Sequence, residues 1–104
     1  MKITTGATAP MYFNCNLSYN NVGVSLTASL DYLIVTNSAV FKVIQYDSED
    51  TVLQTDQVSL YSGTEIANAS IDFTTVENVV KIRLQIIRYG NEGKVFYIDN
   101  IKLM

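Results

Sequence analysis

The chain has 104 residues, 48% apolar and only 16% charged; this is the size of one domain with one core, and it excludes both a disordered segment and a charge-rich helical assembly. Seven Lys/Arg against ten Asp/Glu give a net charge of −3 with no basic run, which argues against a nucleic-acid partner. Cys15 is the only cysteine and histidine is absent, so no internal disulfide can form, and Ser-His-Asp and Cys-His catalysis are excluded.

No stretch approaches the roughly 18 to 20 consecutive apolar residues of a membrane-spanning helix, and residues 1 to 10 lack the apolar core of a signal peptide. The expectation is a chain with neither. Gly6 and Pro10 make that first segment a loop or an edge arm. From Met11, Phe13, Cys15, Leu17 and Tyr19 alternate with Tyr12, Asn14, Asn16 and Ser18, the period of a half-buried strand, and Cys15 is a buried apolar thiol in that pattern. Residues 20 to 23 form a turn.

Residues 24 to 36 give the longest alternation, with Val24, Leu26, Ala28, Leu30, Tyr32 and Ile34 on the inner side. Residues 39 to 46 are a short apolar run broken only by Lys42 and Gln45, the mark of a central strand. The acids Asp47, Glu49 and Asp50 follow at a spacing that is not that of an EF-hand loop, so they are read as a solvated hairpin turn. Residues 51 to 60 hold one or two weak strands with Val58 and Leu60 inward. Residues 65 to 74 add another, with Ala67, Ala69, Ile71 and Phe73 inward.

The last twenty-six residues carry the clearest signal. Val80, Ile82, Leu84 and Ile86 form a core row, while Lys81, Arg83, Gln85, Ile87 and Tyr89 face away. Gly90 to Gly93 read as a four-residue hairpin connection. In the closing strand Phe96 and Ile98 have one parity and Ile101 and Leu103 the other, and strict pleating cannot bury both pairs in one core. A β-bulge at Asp99-Asn100, inserting one residue, reconciles them.

No window shows a helical period, and Thr, Val, Ile and Tyr fill the strands. The expected fold class is all-β: about eight strands in an antiparallel sandwich or barrel, in a single domain over residues 1 to 104.

The run Ser25-Leu26-Thr27-Ala28-Ser29-Leu30, then Phe41-Lys42-Val43-Ile44-Gln45-Tyr46-Asp47, Ile71-Asp72-Phe73-Thr74, Val80-Lys81-Ile82-Arg83-Leu84 and Phe96-Tyr97-Ile98-Asp99-Asn100-Ile101-Lys102-Leu103 resembles the jelly-roll carbohydrate-binding modules attached to xylanases and cellulases. Relatives of those modules also occur in phage tail and virion proteins. The resemblance implies a two-sheet jelly roll whose ligand is a sugar, held on a concave sheet or at a loop edge by stacked aromatic rings and by amides and carboxylates. The chain has no Trp, so Tyr must do any stacking. The resemblance also implies a structural calcium at Asp99 with an acid near the chain start; residues 1 to 30 contain no Asp or Glu, and the alternative is that Asp99 caps the bulge through backbone amides. No other cofactor is implied.

The outward row of Arg83, Gln85, Ile87 and Tyr89, joined by Tyr46 or Tyr12 from other strands, is the candidate ligand face; its alternative is an ordinary solvated or protein-contacting sheet face. Tyr61 and Tyr97 are read as core or edge packing. Asp31, Asp72 and Asp99 could meet, but nothing selects a catalytic pair. The expectation is thus a non-enzymatic glycan-recognition module of a phage virion or tail, acting outside the cell after release. The alternative is a structural decoration or assembly module whose partners are other protein chains, a homo-oligomer among them, with outward apolar residues such as Ile87 buried in the contact.

Overall fold

The computed structural model describes residues 2–4, 11–34, 39–88 and 95–104, with side chains for 14–34, 39–87 and 97–104. Eight strands account for most of them: β1 (Lys2–Thr4), β2 (Met11–Ser18), β3 (Ser25–Ile34), β4 (Ala39–Tyr46), β5 (Val52–Leu60), β6 (Ala67–Thr74), β7 (Lys81–Arg88) and β8 (Val95–Leu103), with no helix among the described residues. They form two antiparallel four-stranded sheets, ordered β1-β8-β3-β6 and β2-β7-β4-β5. Only β4 and β5 are sequential neighbours in one sheet; from β1 to β8 every other connection crosses the sandwich, except that β4 leads directly into β5. This is the jelly roll that the resemblance implies.

The core is where the inner rows of the two sheets meet. Ala28, Leu30 and Ile34 of β3, Ile71 and Phe73 of β6, and Ile98 of β8 pack against Phe41 and Val43 of β4, Leu60 of β5, and Ile82, Leu84 and Ile86 of β7. Cys15, half-buried, lies against the same cluster. Period-2 alternation produces this arrangement because most strands bury one face and solvate the other, while the central strands β4 and β7 also cover apolar residues such as Ile44 and Ile87 on their outer side.

Three local expectations change. Residues 52–60 form one strand, whose pairing with β4 is irregular only between Gln45 and Tyr46. Val80 is 39% exposed and Val79 is buried in its place: β7 begins one residue later, and Val80 instead donates its N–H to the Tyr46 carbonyl at 2.9 Å, while Asn78 takes a positive φ of 74°. The expected hairpin connection at residues 90 to 93 lies outside the described residues; the strands before and after it, β7 and β8, belong to different sheets and meet across the core, an arrangement local turn chemistry does not report.

The bulge in β8 is present. Ser29 pairs with Lys102 but Asp31 pairs with Asp99, so two steps along β3 match three along β8. Asn100 has φ of +52°, and this change of parity brings Ile101 and Leu103 back against the core. The turn at 47–51 is a hairpin built on Asp47, whose Oδ1 accepts the N–H of Glu49 at 2.8 Å and of Thr51 at 2.9 Å. That carboxylate is occupied by backbone.

Among the described residues one large polar side chain is fully buried. Gln45, 0% exposed on the inner side of β4, donates from Nε2 to the Thr74 carbonyl at 3.1 Å and accepts the Val76 N–H on Oε1 at 2.9 Å. The intervening Thr75 accepts the Val24 N–H on Oγ1 at 2.9 Å. The β6–β7 connection is thereby fastened to both sheets, and its buried backbone groups find the partners they require.

Candidate functional site

The outward face of the β2-β7-β4-β5 sheet places the predicted row on rigid strands. Register aligns Asn16, Arg83, Ile44 and Thr55 across the four strands, and beside them Asn14, Gln85, Lys42 and Gln57. Arg83 Nε donates to Asn16 Oδ1 at 2.8 Å, and Gln85 Nε2 donates to Asn14 Oδ1 at 2.9 Å. These bonds hold long side chains in fixed positions and leave the guanidinium Nη groups and the Asn amide hydrogens as further donors. The result is a regular array of amides and cations over an apolar floor of Ile44 and Ile87, both buried.

Tyr46 belongs to this face but not as an open ring. It is only 8% exposed, with Lys81 Nζ 4.7 Å and Arg83 Cζ 5.0 Å from its centroid, so the two cations cover the ring that a sugar would need for stacking. Lys81 is in turn paired with Asp50 at 2.6 Å, and this contact holds the Asp50 carboxyl below its ordinary range. Ile87 is buried within the sheet face, flanked in register by Tyr12 and Val40, and so is not the exposed assembly contact expected of it. Tyr89 and the Tyr12 side chain lie outside the described residues.

The opposite outer face, on the β1-β8-β3-β6 sheet, carries a feature that the alternation pattern did not identify. Tyr97, 41% exposed, and Ile66, 74% exposed, join Leu33, Asp31, Asp99 and Asn100 around a shallow depression of about 480 Å³. Tyr97 therefore faces outward, as does Tyr61 at 71% exposure, and neither packs in the core. Asp31 accepts Asn100 Nδ2 on Oδ2 at 2.7 Å and Asn68 Nδ2 on Oδ1 at 3.1 Å; these two amides, Asn100 first, hold its carboxyl below the usual carboxylate range. Across the strands from it, Asp99 Oδ1 accepts the Asn100 N–H at 2.8 Å.

That geometry answers two questions about the acids. Asp31 and Asp99 do come opposite one another, but both carboxylates are already held by amide donors and nothing in the geometry sets the two apart as an acid and a base. Nor do the residues fit calcium: Asp99 caps the bulge, both Asp31 oxygens are engaged by amides, and no cluster of three or more metal-ligating side chains occurs among the described residues.

Parity alone reached Arg83 and Gln85. It missed the contribution of Asn14, Asn16 and Lys42, because which strands flank β7 depends on register between segments up to 71 residues apart.

No protein-family description matches the sequence, and no curated protein matches it. Among solved structures, the chain is similar over 98% of its length to the enzymatically active domain of tailspike protein 4 from bacteriophage CBA120 (TM-score 0.85, 9% identity). It is similar to a CBM4 protein over 98% of its length (TM-score 0.75, 15% identity) and to a family 16 carbohydrate binding module over 99% (TM-score 0.70, 13% identity). The matched region spans only 15% of the tailspike chain, against 68% and 74% of the other two. At such identities the likeness is one of fold, and at that level the jelly-roll resemblance read from the strand pattern holds.

Proposed function

We propose that the protein is a non-catalytic glycan-recognition module that binds through the outward face of the β2-β7-β4-β5 sheet, as a component of a phage virion or tail acting outside the cell. The observation that carries this reading is the hydrogen-bonded row of Asn14, Asn16, Arg83 and Gln85 on adjacent rigid strands. Such a row offers oriented donors and acceptors to hydroxyl groups without needing a loop to order itself. Similarity to a CBM4 protein, a family 16 carbohydrate binding module and a tailspike domain supports both the sugar ligand and the phage setting.

A glycan array on the whole chain, repeated with Arg83→Ala, tests the proposal. Binding is expected, and loss of at least tenfold in affinity is expected in the variant, as for removal of a charged hydrogen-bonding group worth roughly 1.5 to 3 kcal/mol. Absence of binding to every glycan, with the chain folded, refutes it.

A second reading rests on the exposed Ile66 and Tyr97 beside Leu33. If the module serves in assembly, this apolar surface of the other sheet is the part that another chain covers.

A further inference from the structure

We infer that the glycan taken by the outward face of the β2-β7-β4-β5 sheet is anionic, a polysaccharide whose sugars bear carboxylate or sulfate groups. The inference rests on the proposed glycan-binding role and specifies the class of ligand.

The first ground is the distribution of charge. The chain is acidic, with ten Asp/Glu against seven Lys/Arg, yet this one face collects Lys42, Lys81 and Arg83. The described residues that share the face on its four strands are Asn14, Asn16, Ser18, Val40, Ile44, Tyr46, Val52, Thr55, Gln57, Ser59, Gln85 and Ile87, none of them acidic. Asp50, at the hairpin tip, reaches the face from outside its strands; it feels Arg83 but is bonded to Lys81 at 2.6 Å.

The second ground is that the other two cations carry no salt bridge among the described residues. Among the described residues no carboxylate is bonded to Arg83 or Lys42: Arg83 meets the neutral amide of Asn16, and Lys42 stands in register between Gln85 and Gln57. Lys42 is diagonal to Arg83 across β4 and β7, a separation of about 7 to 8 Å that is somewhat less between Cβ atoms. Both are half-buried over the apolar floor of Ile44 and Ile87, where salt screens a charge less than it does in open water.

The third ground is the covered ring. Neutral sugars are gripped chiefly by stacking on open aromatic faces, and here the Tyr46 ring lies beneath Lys81 and Arg83. What the face offers in its place is a guanidinium with free Nη donors, an ammonium, and side-chain amides from Asn14, Asn16 and Gln57, with the buried Gln85 amide holding Asn14 in position. The cations suit carboxylate or sulfate oxygens, to which Arg can bond in a fork. The amides suit the hydroxyls between them.

The test measures binding of the whole chain to polygalacturonate, to dextran sulfate, to unmodified dextran and to a single-stranded oligothymidylate, by calorimetry or biolayer interferometry. Binding to at least one anionic polysaccharide is expected, about tenfold or more above dextran, weakening steeply from about 0.05 M to about 0.5 M salt. Comparison of the carboxylated and sulfated polymers then shows which group is read. Arg83→Gln and Lys42→Gln are each expected to cost about tenfold, while Lys102→Gln on the opposite sheet changes nothing. Circular dichroism verifies that each variant is folded.

Equal binding to dextran and the anionic polymers overturns the inference and leaves the glycan-binding role standing. No binding to any polysaccharide overturns both. Binding to the oligothymidylate as strong as to the polysaccharides overturns the inference in favour of general polyanion recognition.

Discussion

Replacing Gln45 by Met tests whether one buried amide joins the two sheets. The side chain is fully buried, and its two hydrogen bonds end on the Thr74 carbonyl and the Val76 N–H of the β6–β7 connection. Met nearly preserves volume, so the cavity term is small. What is lost is two hydrogen bonds, each worth about 1 kcal/mol net, and what remains is two backbone groups that cost about 1 to 3 kcal/mol each where water does not replace the amide. Added apolar contact offsets part of this, leaving a net loss of about 3 kcal/mol. In a domain of this size that lowers Tm by roughly 12 to 24 °C, at about 4 to 8 °C per kcal/mol. Urea unfolding followed by circular dichroism measures the change, with Gln57→Met on the exposed side of β5 as a control expected within about 0.5 kcal/mol of the parent. A Gln45→Met variant as stable as that control refutes the reasoning, because it means the connection is held by packing and not by the amide.

The β7 boundary predicts that Val79→Ala costs about 2 kcal/mol while Val80→Ser stays within about 0.5 kcal/mol, measured by the same denaturation; the reverse ranking restores Val80 to the core row. At the bulge, Asn100→Ala is expected to be less stable than Asn100→Gly by about 1 kcal/mol, since both lose the bond to Asp31 but only Ala suffers at φ of +52°. Asp31 has a folded pKa below its ordinary 3.8, so its contribution is present above that value and is lost as pH falls through the folded pKa. Thermal melts between about pH 5 and pH 2 should therefore show a shallower acid decline for Asp31→Asn than for the parent, and identical profiles count against the amide clamp.

Much of this was legible along the chain. The inward row of Ile82, Leu84 and Ile86 followed from alternation alone, and the bulge at Asp99-Asn100 followed from the parity conflict between Ile98 and Ile101, a purely arithmetic signal. Ile87 and Tyr97 were misplaced for a different reason. Parity assigned Ile87 to the outer face correctly, but its burial comes from neighbours on β2 and β4 that no local pattern specifies. Tyr97 is aromatic and sits in an apolar strand, which suggests packing, yet its parity directs it outward beside Asp31 and Asn100. The candidate face was legible mainly for the part carried on β7, with Tyr46 added from β4; Lys42 read as a polar break in a central strand until register set it diagonal to Arg83.

The sequence by itself determined the all-β class, the sidedness of nearly every strand and the place of the bulge, because each follows from whether a side chain prefers water or an apolar interior and from the two-residue period of the extended backbone. Only the tertiary structure decided that β7 lies between β2 and β4, that β7 and β8 belong to opposite sheets, and that Tyr46 is roofed by Lys81 and Arg83. Backbone hydrogen bonds are alike for any pair of neighbours, so a strand's sequence selects the face it buries but not the strand beside it. That choice is made by the burial of the whole sandwich at once, and the cationic face exists only after it has been made.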